Sequence, residues 1–534
     1  MPGFLALVLH AHLPFVRHPE HPEFLEEDWL FEAITETYIP LLNAMERLVA
    51  DAVPFKLTMS ITPPLCAMLQ DPLLIARYVA HLERSIALAL REIERNRDNV
   101  QLQELSQFYF ELLTATHRQF VEEWNRDLLA RFRYFRERGV LEIAASAATH
   151  GLLPLLAQSP EAVRAQVLIG RDAYCQAFEA EPAGFWLPEC AYEPGLELLL
   201  QEANIRWFVV DAHGLLFGKP QPRHAIYAPC FTPAGPAAFA RDPASSRQVW
   251  SAESGYPGDA AYRDFYRDIG FDLPTEHVFP SSLNRSPRFS GLKYHRITGA
   301  HVPKELYAPA SAEAAAQTHA DHFLQSRLEQ FRDLASRGFE PMVTVAFDAE
   351  LFGHWWFEGP RFLELFIRKA AAYSDEFTLT TPSGYLAARP TQEVIEPAAS
   401  SWGEGGYWGV WLDESNAWVY PHLHAMARRM AELAQVHATD PSPLVERTLQ
   451  QLARELLLAQ SSDWAFLIRS GTAREYATKR TREHIARFNS LYEQLRDGQV
   501  NDDFLRDCEW RDNLFAHVNW RHYLPKLASD ARPQ

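Results

Sequence analysis

Four apolar runs in this sequence each end in groups capable of chemistry. "LALVLHAH" ends in His10 and His12, and "LEIAASAATH" leads to His150. "GFWLPECAY" places Glu189 after a Trp-Leu-Pro step, and "VTVAF" runs into Asp348 and Glu350. On a strand, residues i and i+2 share a face, so His10 and His12 aim at one spot. That spacing suits a metal pair, and equally two neutral imidazoles clasping sugar hydroxyls. The carboxylates suit cleavage at an acetal carbon. One carboxylic acid protonates the leaving oxygen, and a second carboxylate about 5–5.5 Å away attacks the carbon. Asp348, among Phe347, Phe352 and Trp356, has surroundings that raise a carboxyl pKa towards that of an acid. Glu350, two residues on, is an alternative working group. Taken singly, each of these has a plainer reading: a buried histidine bonded to backbone, a helix-start carboxylate, a salt-bridge partner. Together at four strand ends they argue for one site.

The elements that must position these groups are legible as short apolar runs. They are residues 4–9, 55–61, 141–146, 184–187, 205–210, 342–347 and 377–380. Continuous rather than alternating apolar runs suit parallel strands buried on both faces. Helical patterns between them predict βα units closed into a sheet or barrel. Residues 66–139 carry two long helical patterns without a strand signal and read as a helical insertion. Residues 213–258 are rich in Pro, Ala, Gly and Ser and read as one long loop beside the scaffold. From 401 to 534 the pattern is almost wholly helical. The expected domains are therefore a catalytic barrel over 1–65 and 140–400, an inserted helical domain over 66–139, and a C-terminal helical domain over 401–534.

Composition narrows the function. A chain of 534 residues with a formal net charge of −18 lacks the basic face that nucleic-acid or anionic-membrane binding needs. Neutral substrates such as sugars remain open. The N-terminal apolar run is too short for a signal-peptide core or a membrane span. The five cysteines are scattered and odd in number, as in a reduced cytoplasmic protein. Aromatics are abundant, with 14 Trp and 19 Tyr. Many lie near the proposed site: Trp355, Trp356, Trp402, Tyr407, Trp408, Trp411 and Trp418. Those on the glycine-rich "SSWGEGGYWGVW" are expected to line a groove, because sugar rings stack on Trp and Tyr.

These stretches resemble glycoside hydrolase family 57, specifically its branching-enzyme subgroup, over nearly the full length. "HAHLPFVR", "GVLEIAASAATHGLLPLL", "GFWLPECAY" and "FDAELFGHWWFEG" are similar to four of its signatures, and "SSDWAFLI" to the last. "WSAESGYPGDAAYRDFYRDIGFD" and "SSWGEGGYWGVWLDESNAWVY" are similar to segments of the subgroup. The resemblance implies a (β/α)7 barrel with an inserted helical arm and a C-terminal α-helical domain. It implies Glu189 as nucleophile and Asp348 as general acid/base of a retaining mechanism without metal or other cofactor. It favours the sugar-clasp role for His10 and His12, with His150 in the same site. Trp356, Trp402, Trp411, Asp463, Gly291, Arg263 and Arg267 would contact an α-1,4-glucan acting as donor and acceptor. "IGFD" carries Phe271 where Trp is expected in relatives, which would weaken an acceptor subsite. The long loop at 213–258, with Tyr256 near its end, is where control of transfer against hydrolysis is expected. The alternatives are an α-amylase-type hydrolase, a metal-dependent deacetylase or amidohydrolase using His10, His12, His150 and a carboxylate, and a catalytically silent glucan-binding protein.

Overall fold

The computed structural model describes residues 3–251, 255–280, 286–299 and 302–525. Ala252, Glu253 and Ser254 of the "WSAESGYPGD" segment lie outside them. Ten strands form one curled sheet: β1 (Gly3–Ala11), β2 (Leu57–Ile61), β3 (Leu141–Ser146), β4 (Gly184–Trp186), β5 (Trp207–Val210), β6 (Cys230–Phe231), β7 (Ala237–Ala240), β8 (Met342–Asp348), β9 (Phe377–Thr380) and β10 (Glu393–Val394). Seven of them run parallel in the order β7-β5-β4-β3-β2-β1-β8. The ends of this row meet through a parallel bridge between Arg241 and Thr344, with Asp242 N donating to Thr344 O at 2.8 Å. The result is a (β/α)7 barrel.

The membership of the ring differs from the sequence expectation at two places, and the two-residue strands β6 and β10 also lie outside the expected runs. β7 lies inside the stretch read as a long loop. "AAFA" between prolines and glycines has weak strand propensity, yet all four residues are buried and pair with β5. Conversely, Phe377–Thr380 forms a strand but does not belong to the ring; it pairs with the start of β1, Gly3–Ala6.

Side chains alternate across the strands, and this sets the site. Ala6 and Val8 of β1, Trp207 and Val209 of β5, Ala237 and Phe239 of β7, and Met342 and Ala346 of β8 pack together inside the barrel. Leu5, Leu7, Leu9, Val343, Val345 and Phe347 face outward into the larger core shared with the helices. Continuing each inward row by two residues reaches His10, Asp211, Arg241 and Asp348. The mouth of the barrel is thus lined by the polar ends of its inner columns.

Two helical regions frame the mouth. Helices Pro72–Arg95 and Val100–Arg118 pack against each other between β2 and β3. The first is started by Asp71, whose carboxylate accepts from Leu73 N and Leu74 N, with Pro72 in the first turn. Beyond β10 the helices Val419–Val436, Pro443–Ala459, Ser462–Ser470, Arg474–Arg496 and Asp502–Arg511 form the C-terminal region. Helix Pro443–Ala459 is buried along most of its length, so it is the centre of this bundle. Its end delivers Ser461–Asp463 to the barrel mouth, where Gly151 and Ser461 form a bridge and Ser462 N donates to His150 O.

Candidate active site

Glu189 sits just past β4 with φ 61° and ψ 22°, and His150 and Cys190 are also left-handed, with φ 57° and 50°. Such backbone costs about 1–3 kcal/mol per residue and persists only where the surroundings impose it. At Glu189 they do. Trp402 N donates to Glu189 O at 3.0 Å, and Trp402 Nε1 donates to Glu189 Oε2 at 2.7 Å. Ser462 Oγ donates to Glu189 Oε1 at 3.2 Å. The glycine-rich segment carrying Trp402 is itself tied down by reciprocal backbone hydrogen bonds between Tyr192 and Ser400. A carboxylate from the barrel is therefore oriented by one residue of that segment and one of the C-terminal helices.

Three imidazoles form the floor. His10 Nε2 and His150 Nε2 are 2.9 Å apart, so one donates to the other, and His150 Nδ1 meets Ser462 Oγ at 2.9 Å. His12 and His150 rings stack at 3.8 Å, and His10 stacks on Trp186 at 4.7 Å. His12 Nδ1 meets Thr62 Oγ1 and His12 Nε2 meets Asp463 Oδ2, both at 2.9 Å. Burial and the neighbouring histidines hold His10 and His150 far below the usual imidazole range. Burial acts the same way on His12, but Asp463 outweighs it and the His12 pKa is raised. Asp463 in turn is brought down to about 2: burial would raise it, and the His12 charge overrides burial.

Asp348 is the cross-strand partner of His10 in the β1–β8 ladder. Burial pushes its carboxyl up to about 6, against the opposing charges of Arg241 and His12. Burial also pushes Glu189 up to about 7; the Trp402 hydrogen bond works against this and the Asp348 charge adds to it. Two carboxyls near neutrality, one of them raised further by the charge of the other, suit acid–base and nucleophilic work. Glu350 does something else. Its Oε1 accepts from Tyr38 OH at 2.6 Å and from His12 N at 3.1 Å. It is a buried strut holding His12 in place.

His12, His150 and Asp463 place one ligand atom each within 4.8 Å of one another. The 2.9 Å separation of His12 Nε2 and Asp463 Oδ2 is a hydrogen bond. Two ligands of one tetrahedral zinc stand roughly 3.3 Å apart for bonds near 2.0–2.1 Å. The donor set as arranged fits a hydrogen-bond network better than a metal cage.

The structure thus gathers Glu189, Asp348, His10, His12, His150, Trp402 and Asp463 at one mouth. Other expected residues lie elsewhere. Trp356 is 1% exposed and packs on Phe362 and Tyr262; the exposed indole of that loop is its neighbour Trp355. Successive residues of a tight turn point opposite ways, and the apolar side went inward. Trp411 is 2% exposed, wedged beside Gly403, where a Cβ would lie 2.5 Å from its ring. It packs with Leu152, Ala191 and Ala465 rather than lining an open groove. Arg263 is buried, paired with Glu36 at 2.8 Å and set over the Phe357 ring. Arg267 is half-exposed and paired with Asp272, and Gly291, with φ 84°, donates its N–H to Asp268. Tyr256 is buried, its OH against His322 Nδ1 at 2.7 Å, and so is not poised over the mouth.

Sequence reading missed Arg241 and Ser462. Arg241 donates Nε to Ala346 O, pairs with Asp211 at 3.5 Å and lies 5.2 Å from the centre of a Trp402 ring. The available signal was "AAFAR", an apolar run ending in a charge, which the surrounding Pro and Gly obscured. Ser462 stood beside Asp463 in "SSDWAF".

A barrel with a carboxyl pair and an imidazole floor at its mouth is the architecture of a carbohydrate-active enzyme. The model of Glycosyl hydrolase family 57 matches residues 6–399, and the chain belongs to that family. The C-terminal helices, residues 422–523, match the C-terminal region of 1,4-alpha-glucan branching enzymes. A 1,4-alpha-glucan branching enzyme of Thermococcus kodakarensis is 33% identical, the alignment covering 97% of this chain and 78% of the relative. The structure of a family 57 branching enzyme from Pyrococcus horikoshii is 33% identical with a TM-score of 0.88, covering 99% of this chain and 98% of that one. An alpha-amylase from Thermotoga maritima is 43% identical with a TM-score of 0.92, covering 99% and 100%.

Proposed function

We propose that this protein is a 1,4-α-glucan branching enzyme acting by retention. Glu189 is the nucleophile and Asp348 the general acid/base. Asp348 protonates the oxygen of an α-1,4 bond while a Glu189 oxygen attacks the anomeric carbon. The bond breaks, the shortened chain leaves with the proton, and a glycosyl ester remains on Glu189. Asp348, now ionised, takes the proton from the 6-hydroxyl of another glucan. That oxygen displaces Glu189 and forms an α-1,6 branch with retained configuration. Once Glu189 is esterified its charge is gone, so Asp348 stays ionised more readily and is present as the carboxylate that takes the acceptor's proton. With both ring nitrogens of His12 and His150 engaged by protein groups, the imidazoles form a rigid floor under the sugar rather than a clasp on its hydroxyls; Trp402 and Ser462 aim the nucleophile, and Asp463 fixes His12. Arg263, Arg267 and Gly291 serve the rim. The glucan is both donor and acceptor, and the setting is cytoplasmic glycogen or α-glucan synthesis. Among the described residues no helix is long and apolar enough to cross a membrane, and the five cysteines are free.

The single observation that carries this reading is the reach of the C-terminal helices, through Ser462 and Asp463, into the site beside Glu189. A second reading, an α-amylase-type hydrolase, is favoured by the 43% identity to the Thermotoga enzyme. The two differ only in the acceptor, sugar hydroxyl or water. Amylose incubated with the protein and then debranched separates them. Short chains released only by debranching support branching; reducing ends formed before debranching support hydrolysis. Loss of all activity on chelation, with none on amylose, would return the metal-dependent alternative.

A further inference from the structure

The chain exposes an aromatic platform built on the turn that follows Asp348. Trp355, seven residues beyond Asp348, is 51% exposed and stacks on Phe265 at 4.4 Å with 27° between the rings. Tyr266, 74% exposed, meets Phe265 edge-on at 5.0 Å. Two sequence-distant segments build this surface, and both are anchored to the catalytic scaffold. Trp355 N donates to Glu350 O, Glu350 also holding His12, and Arg263 N donates to Glu358. Helix and loop are further joined where His354 N donates to Thr37 Oγ1.

The platform is not a plain apolar patch. Lys293 Nζ lies 4.3 Å from the Phe265 ring centre, on a side chain that is itself buried. His354 Nδ1, 3.4 Å from a Glu32 oxygen and 3.9 Å from a Glu36 oxygen, is buried without a hydrogen-bond partner. Exposed stacked rings are costly to leave in water, and a buried ring nitrogen without a hydrogen-bond partner is costly to leave unmet. They match the needs of one ligand class: a sugar chain presents apolar C–H faces for the rings and hydroxyls for the polar groups.

We infer that Trp355, Phe265 and Tyr266, with Glu32 and His354 at their edge, form an outer subsite that holds a segment of α-1,4-glucan remote from the bond being cleaved. This rests on the glucan reading above and adds what that reading lacks, a grip that counts chain length. Short oligosaccharides that fill only the mouth do not reach the platform. Long chains lie across both.

The test uses the full chain carrying Glu189→Gln, so that substrate stays intact. Binding of amylose and of a short maltooligosaccharide is measured by calorimetry with and without Trp355→Ala, and separately with Tyr266→Ala. The subsite predicts about tenfold weaker amylose binding in Trp355→Ala, a several-fold loss in Tyr266→Ala, partial rescue by Trp355→Tyr, and a much smaller effect on the short ligand. Equal amylose affinity with and without the platform side chains overturns the inference while leaving the glucan reading intact. If the Glu189→Gln protein binds no amylose at all, the glucan reading itself fails. Sedimentation of the same proteins covers the remaining occupant: self-association abolished by Trp355→Ala, with unchanged glucan affinity, would make the platform a contact between copies and also overturn the subsite.

Discussion

His12 Nε2 lies 2.9 Å from Asp463 Oδ2, joining residues 451 positions apart: one follows the first strand and the other opens a C-terminal helix. The pair makes the C-terminal bundle part of the site. Asp463→Asn removes the charge that raises the His12 pKa and leaves a buried imidazole that is neutral. The His12 share of stability is complete below the ordinary histidine value and fades as pH rises through the raised one. The Asp463 share is present above 3.8 and fades as pH falls towards about 2. Asp463→Asn should therefore lose about 2–4 kcal/mol at mildly acidic pH, with a smaller loss at alkaline pH. Denaturant titrations at both pH values check this; a pH-independent loss contradicts it.

The carboxyl pair predicts a narrow pH range. Well below about 6 both groups carry protons and no nucleophile is present; well above about 7 both are ionised and no acid remains. In between the pair holds one proton, and because Glu189 has the higher value the productive form, with that proton on Asp348, is the minor one. The pH profile of kcat/KM should be bell-shaped with limbs belonging to the pair. A profile flat across this range would contradict the pairing.

The same burial makes Glu189 costly to the fold. Its pKa is raised in the folded state from 4.5 to about 7, so the neutral form is stable at low pH and stability is lost as pH rises through the folded value. Glu189→Gln should abolish activity yet raise Tm, by more at alkaline than at acidic pH. Calorimetry at both pH values decides it, and a lowered Tm at alkaline pH would refute the assignment of strain to this charge.

Trp402→Phe keeps an aromatic side chain and removes the 2.7 Å hydrogen bond to Glu189. That bond lowers the Glu189 pKa, the higher of the pair's two values, so its loss moves the alkaline limb of the profile to higher pH. A fall of about 10–100-fold in kcat/KM accompanies the shift. A change in KM alone, with the limb unmoved, would mean Trp402 only binds sugar.

Tyr38→Phe tests the strut. The Tyr38 hydroxyl is a hydrogen-bond partner of Glu350, which also holds His12 N. Its removal should cost about 1–2 kcal/mol and lower kcat several-fold through misplacement of His12. Unchanged stability and kcat would show that Glu350 needs no such support.

Much of this was written in local pattern. β3 and β9 coincide with their apolar runs, and the polar ends of β1, β3, β4 and β8 pointed to the mouth because strand ends and inner columns coincide. β7 escaped because alanine is a poor strand former and its pairing depends on β5, which lies far from it in sequence. Arg241 was hidden with it. Trp355 and Trp356 are indistinguishable as letters; the fold turns Trp356 into the core and leaves Trp355 outside. Partnerships such as His12 with Asp463 depend on helix packing that no local pattern encodes.

The central claim is transfer to a sugar hydroxyl through Glu189. Proton NMR of amylose incubated with the protein, beside Glu189→Gln, tests it most directly. New α-1,6 anomeric signal without a matching rise in reducing ends, absent in the variant, is the predicted result. Reducing ends without α-1,6 signal, or equal signal from Glu189→Gln, would contradict it.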